Sequence, residues 1–448
     1  MQVRHATSGT RPPARHRLKV IRHRTLKIVA TVTISTLLAA FVAVGERIHQ
    51  LESNMQVIDI GSLLGQHSKP PQQAPTTEAA PFDPFGGRAV NIMITAIDSR
   101  AGGNAYAVGD SMETLLNDVN MIAHISADRQ RVDVVAIPRD TLVPLPACQT
   151  PNGSVSGQQR EAMINEAFGK GAGGDPEAVT EGVACVFKTV EEITQIPLDA
   201  FILVDFAGFA AVVDALGGVD VCVPYGLIGR RTTIDLKPGM HHLDGYDALA
   251  YARTREGKFY NGEYLDGSDL KRINRQQQLI ATVINEVLSS GSLSDLPKLN
   301  STATAVTSAL FVSPELGSVG SLAGLAYALR SVEMQNVSLF MVPVSPAGQR
   351  VRLSQYGSGS SFGGLGASEL FQLLAADQPI PGTTPYKVAN DTGQTATGED
   401  PGGGTPGTDA TGGGDGTVTP PPPADDDFVT ALDVPVTCEV GGQGGSGG

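Results

Sequence analysis

Between residues 89 and 377, short apolar runs of strand length alternate with longer amphipathic stretches, and nothing else in the sequence restricts the fold as tightly. Strands are read at 90–97, 119–125, 132–137, 201–204, 219–223 and 337–344, from apolar, β-branched composition bounded by polar stops. Helices are read at 176–194 with Pro176 in the first turn, at 206–216 closed by Gly217-Gly218, and at 244–254, 269–288 and 314–329. Such alternation predicts an α/β layered domain over 89–377, a central mixed β-sheet flanked by helices, because each face of the sheet has to be covered.

The flanks have a different character. Residues 1–27 carry eight basic side chains and no acid, and residues 28–45 carry no charge at all. Eighteen helical residues span roughly 27 Å, close to the hydrocarbon thickness of a bilayer. The expectation is a basic cytoplasmic segment (1–27), one transmembrane helix (28–45) and an extracytoplasmic body, since basic flanks stay inside. A cleaved signal peptide is the alternative, disfavoured by the length of the run. Residues 46–88 read as a Pro-rich stalk and 378–448 as a Gly/Pro-rich acidic disordered tail. The net charge of −14 excludes a general nucleic-acid binder, which needs clustered Lys and Arg against phosphates. The absence of Trp argues against a surface for stacking bases or sugars.

An extracytoplasmic body can hold disulfides, and there are four cysteines: Cys148, Cys185, Cys222 and Cys438. Three pairings are open, with a structural Cys148–Cys185 bridge the expected one. No C-x-x-C spacing points to a thiolate zinc site.

Polar groups at the carboxyl ends of buried strands are the usual address of an α/β active site. Asp98 and Arg100 follow the first strand, Asp118 precedes the second, and Arg139 and Asp140 follow the third. Farther on, Arg253 and Arg255 stand two residues apart, and a helix opens with Asp269, Arg272, Arg275 and Gln276. Asp269, Arg272 and Gln276 share one face of that helix. Guanidiniums bind phosphate oxygens bidentately. Arg100, Arg139, Arg253, Arg255, Arg272 and Arg275 beside Asp98 and Asp118 therefore suit a diphosphate together with a hard cation such as Mg²⁺, with Mn²⁺ as an alternative.

Several blocks together resemble the LytR-CpsA-Psr family of cell-wall glycopolymer ligases, of actinobacterial type. They are Asn91-Ile92-Met93-Ile94 through Asp98-Ser99-Arg100, Asn117-Asp118-Val119-Asn120-Met121, and Ala136-Ile137-Pro138-Arg139-Asp140-Thr141. Asp205-Phe206-Ala207-Gly208-Phe209, Leu216-Gly217-Gly218-Val219-Asp220-Val221, Leu243-Asp244-Gly245 with Tyr251-Ala252-Arg253-Thr254-Arg255, and Gly267-Ser268-Asp269-Leu270-Lys271-Arg272 follow in order. The resemblance implies a membrane-anchored, Mg²⁺-assisted phosphotransferase facing the wall. Such an enzyme moves a glycan from a polyprenyl-diphosphate carrier to a peptidoglycan sugar hydroxyl, with the lipid in an apolar groove. By resemblance Asp98 and Asp118 match the metal carboxylates. Arg139, Arg253, Arg255, Arg272 and Gln276 match the diphosphate clamp, and Asp269 matches the acid that orients it. Leu116 stands where the family commonly has Arg, and Phe259, Tyr260 and Tyr264 lie in an insertion between Arg255 and Asp269.

Two other functions stay open on sequence alone: a lipid-diphosphate hydrolase using the same clamp with water as acceptor, and a non-catalytic wall-binding or regulatory protein. A G-x-S-x-G match at Gly359-Ser360-Ser361-Phe362-Gly363 lacks a preceding strand, and His241-His242 lacks further ligands at metal spacing. The apolar face of Phe206, Phe209, Val212, Val213 and Leu216 reads as core rather than as a lipid groove. The oligomeric state is not legible.

Overall fold

The computed structural model describes residues 45–65, 83–97, 115–265, 275–276, 278–280, 282–283, 286, 296–332, 336–348, 350–354 and 365–381. The chain divides into a unit ending at Ser53, whose described part is helical, and a body beginning at Asn54. All but the last residue of the expected membrane helix at 28–45, and all but the first four residues of the expected tail, lie outside the described residues. Among the described residues no helix is long and apolar enough to cross a membrane.

The body is built on a mixed sheet which, among the described residues, has seven strands: β1 (Gln56–Val57), β2 (Val90–Ile97), β3 (Asn117–Ile125), β4 (Val132–Ala136), β7 (Ala200–Asp205), β13 (Leu310–Val312) and β14 (Val337–Met341). Their spatial order is β1-β13-β7-β2-β3-β4-β14. The pairs β1/β13, β7/β2 and β4/β14 run parallel, and β13/β7, β2/β3 and β3/β4 run antiparallel. Side chains alternate between the two faces. Met93, Ile122 and Val135 enter one core with Phe168, Val186 and Leu370, while Ile92, Ala123 and Val134 enter a second core with Val312, Leu316 and Leu339. The first face is covered by α1 (Ala167–Ala172), α2 (Val179–Thr194) and α7 (Ala367–Ala375), and leucines of α6 (Val319–Ala328) pack on the second.

A third core lies around β8 (Val219–Val223), β9 (Leu227–Gly229), β10 (Asp235–Leu236), β11 (Gly239–Leu243) and β12 (Gly257–Lys258), with α3 (Phe206–Leu216) and α4 (Gly245–Arg253). Asp205 caps α3 by accepting from the Gly208 amide at 2.7 Å, and Asp244 caps α4 by accepting from the Asp247 amide at 2.9 Å. α4 starts so close to α3 that a Cβ on Gly245 would collide with the Ala210 carbonyl, which is why glycine stands there. A further helix, α5 (Leu296–Ala309), leads into β13, and two hairpins, β5 (Leu142–Leu145) with β6 (Gln159–Met163) and β15 (Val344–Ala347) with β16 (Arg350–Leu353), belong to the body.

The α/β layering over a mixed sheet is as expected, and most strands and helices fall where periodicity put them. The stalk at 46–88 is a correction. β1 extends the sheet, and Met55, Ile60 and Phe85 are buried in its cores. The Pro-rich middle of that segment masked short apolar ends that are long enough to pair or to fill a gap. Ile380 is also buried, so the body continues past Asp377. His241 and His242 are in β11, and His242 Nδ1 lies 2.8 Å from Asp220.

Cys148 and Cys185 are joined across 37 residues, tying the loop after β5 to α2. Cys222 is also disulfide-bonded.

Candidate active site

Strand direction gathers the site. β3 runs opposite to β2 and β4, so its amino end lies beside their carboxyl ends: Asn117 pairs with Ile97, and Met121 with Ala136. β7 ends at the same edge, with Asp205 opposite Ile97. Asp118, Arg139 and the start of α3 therefore share one rim of the sheet, although 21 and 88 positions separate the last two from the first in the chain.

Asp118 is the centre of this rim. Arg139 Nη1 donates to its Oδ1 at 2.6 Å, and Arg255 Nη2 lies 4.0 Å from its Oδ2. Arg139 also faces Asp140, 3.5 Å from Nε to Oδ1, and Arg350 reaches that same oxygen at 3.6 Å. The backbone holding Arg139 is fixed from both sides. Thr141 Oγ1 donates to the Pro138 carbonyl at 2.6 Å, and the Asn165 amide donates to the Arg139 carbonyl at 3.2 Å. Asn117, fully buried beside Asp118, donates to Asn120 Oδ1 at 2.6 Å and accepts from the Phe168 amide at 3.0 Å. The amino end of β3 is thereby anchored to α1.

Arg253 is the last residue of α4, and its guanidinium lies 4.6 Å from the centroid of the Phe206 ring. Cation–π contact of this kind helps hold a guanidinium in place. Arg255 follows two residues later, with its side chain 37 % exposed, so solvent reaches it.

Arg275 differs from its expected role. It is buried and donates to the carbonyls of Tyr251, at 3.3 Å, and of Thr254. Burial pushes its pKa down from the ordinary value, with the nearby Tyr251 opposing. It does not face the cluster; it binds the carboxyl end of α4, between Arg253 and Arg255. Helical geometry holds the signal, since Arg275 lies about 100° around the helix from Gln276 and off the Asp269/Arg272/Gln276 stripe. Gln278, on the same inward side, accepts from the Tyr251 hydroxyl at 2.9 Å and donates to the Cys222 carbonyl at 2.9 Å. Gln276 is half-buried. Asp98, Arg100, Asp269 and Arg272 lie outside the described residues.

A carboxylate that solvent reaches, as at Asp118, is a hard oxygen donor of the kind Mg²⁺ uses with water and phosphate oxygens. Among the described residues no group of three His, Cys, Asp or Glu could hold a metal by itself.

Sequence reasoning missed Arg350, which comes from a hairpin more than 200 residues beyond Asp140, and Arg230 and Arg231. These two, with Thr232, Thr233, Tyr246, Leu249, Ala250 and Arg253, line a cleft of about 440 Å³. An adjacent basic pair in so acidic a chain is a visible signal, but it matched no motif.

Residues 65–364 match the family model described as the LytR_cpsA_psr family. The cell wall biosynthesis protein LcpA of Corynebacterium glutamicum is 26 % identical over 271 residues, covering 57 % of this chain and 50 % of that protein. The polyisoprenyl-teichoic acid–peptidoglycan teichoic acid transferase TagV of Bacillus subtilis is 31 % identical over 188 residues, covering 41 % of this chain and 42 % of its own. The matched region thus spans about half the length of these curated relatives. Among solved structures, a LytR-Csp2A-Psr enzyme from Actinomyces oris is similar at 19 % identity and a TM-score of 0.45, covering 74 % of this chain and all of that one.

Proposed function

The chain belongs to the LytR_cpsA_psr family, and on that premise we propose that it transfers a glycopolymer from a polyprenyl-diphosphate carrier to a peptidoglycan sugar hydroxyl, forming a phosphodiester. One observation carries the reading: Arg139 and Arg255, from separate elements, converge on Asp118 at the rim of the sheet. Relatives are named as teichoic acid transferases to peptidoglycan, which supports the same reaction class.

Phosphoryl transfer asks mainly for positioning and charge neutralisation. In this reading the acceptor hydroxyl attacks the phosphorus nearer the glycan. The bond from that phosphorus to the bridging oxygen breaks, and polyprenyl phosphate leaves with the electron pair. The hydroxyl proton passes to a carboxylate, for which we propose Asp269, the acid that by resemblance orients the clamp. Arg139 and Arg255 exchange part of their pairing with Asp118 for the diphosphate oxygens and stabilise the charge that grows on the leaving phosphate. Arg253, held on Phe206, closes the other side. Mg²⁺ (or Mn²⁺), with Asp98 and Asp118 as its protein ligands, would supply further neutralisation. We place the protein in the cell membrane through the uncharged run at 28–45, with the body outside.

The test uses full-length protein in detergent with a labelled prenyl-diphosphate glycan, with and without wall acceptor. Acceptor-dependent phosphodiester is the expected product. Phosphate release without acceptor would make the protein a hydrolase, and no turnover with a competent donor would make it a non-catalytic binder.

A further inference from the structure

The cleft lined by Arg230, Arg231 and Arg253 is a separate feature from the Asp118 cluster. One wall is a stripe of α4, Tyr246, Leu249, Ala250 and Arg253, spaced i, i+3, i+4, i+7 so that all four face the same way. The other wall is the turn between β9 and β10, which carries Arg230, Arg231, Thr232 and Thr233. The Arg230 amide donates to the Glu256 carbonyl at 2.8 Å, and Thr232 and Thr254 share a hydroxyl contact at 2.8 Å, so the turn is fastened to the segment just beyond α4.

The charge is unbalanced. Glu256 is shared by both arginines of the turn, 3.3 Å from Arg231 and 3.8 Å from Arg230. Each of those arginine side chains is about four-fifths exposed, and such exposed pairs are weak and readily exchanged for another anion. Among the described residues, Arg230 and Arg231 thus share a single carboxylate at the edge of a cleft on a protein of net charge −14. Its volume falls within the range of small-ligand sites. The floor of Leu249 and Ala250 and the half-exposed Tyr246 offer an apolar surface, and the two threonines offer hydroxyls.

We propose that this cleft is a second anion subsite, which takes an ionised phosphodiester or carboxylate group of a glycan chain next to the diphosphate clamp. Arg253 belongs to both places, so a chain leaving the clamp enters the cleft directly. The assignment of that chain to donor or acceptor rests on the transfer reading; anion binding itself does not.

Calorimetry on the full-length protein in detergent tests it with three probes of equal length: a glycerol-phosphate oligomer, an oligouronide and a neutral oligosaccharide. Both charged probes are expected to bind, more weakly as salt rises, and the neutral one far less. The Arg230→Ala/Arg231→Ala double variant is expected to weaken charged-probe binding about ten-fold. Glu256→Gln is expected to strengthen it, a gain that misfolding does not produce. Equal binding of charged and neutral probes, or no change in either variant, overturns the proposal. Transfer assays then pair a charged donor glycan with a neutral acceptor, and the reverse. The double variant should lose kcat/KM in the arm whose charged chain occupies the cleft, and a loss in neither arm also overturns it. If the wild-type protein transfers nothing in any arm, the transfer reading fails while the binding result stands.

Discussion

At the residue scale, Asp118 and Arg255 have separable roles. Arg255 is partly exposed and contributes little to packing, so Arg255→Ala should leave the thermal midpoint nearly unchanged while lowering transfer about 100-fold. A wild-type rate in that variant would remove Arg255 from the clamp. Asp118→Asn keeps the size of the side chain and removes its charge. It should raise the Mg²⁺ concentration needed for half-maximal transfer, and an unchanged metal titration would place the ion elsewhere. Both residues were visible in the sequence, since each stands in a motif beside a strand or helix end. Arg275 was legible only as a cation; its inward direction depends on what packs against it.

At the element scale, the carboxyl end of α4 governs both Arg253 and Arg255. Arg275 holds that end through two carbonyls from inside the third core. Arg275→Ala leaves these acceptors without their charged donor, and should cost about 2–3 kcal/mol in chemical denaturation. Transfer should fall through kcat more than KM, because the clamp is loosened rather than removed. Arg275→Lys should recover much of the stability and less of the rate, since a single ammonium does not reproduce the fork that meets both carbonyls. The end of α3 was legible from Gly217-Gly218, whereas the caps Asp205 and Asp244 that open α3 and α4 are known from the structure. The small strands β9, β10 and β12 were not, because two or three residues show no period.

At the scale of the whole molecule, two ties hold distant parts together. Asp377 follows α7 with a φ of 52°, a left-handed conformation that Asp and Asn tolerate. Its carboxylate accepts from Arg131 Nη2 at 2.8 Å and from the Ala127 amide at 3.0 Å, and lies 3.0 Å from His124 Nε2. Burial raises the Asp377 pKa, but the hydrogen bonds from His124 and Ala127 and the charges of His124 and Arg131 outweigh it, and the net direction is down. A depressed carboxylate stabilises the fold above its unfolded value of about 3.8, and that stability is lost as pH falls below it. Asp377→Asn should therefore destabilise the body by about 1–3 kcal/mol at neutral pH, with the difference from wild type shrinking under acid unfolding. The Cys148–Cys185 bridge closes 37 residues, worth about 4 kcal/mol by loop entropy. Cys148→Ala/Cys185→Ala should lower the thermal midpoint without changing the clamp.

Local chemistry was enough to determine the layered α/β class and the motif residues, because hydrophobic period and helix caps act over a few positions. It also marked Asp118, Arg139, Arg253 and Arg255 as polar groups at element ends. Only the tertiary structure decided which of them meet. The antiparallel placement of β3 brings its amino end to the carboxyl rim of its neighbours, and α4 delivers Arg255 to Asp118 from 137 residues away. The same folding turns Arg275 inward and sets Arg230 and Arg231 opposite α4, because these arrangements depend on strand direction and on which faces find partners, and neither is a property of any single segment.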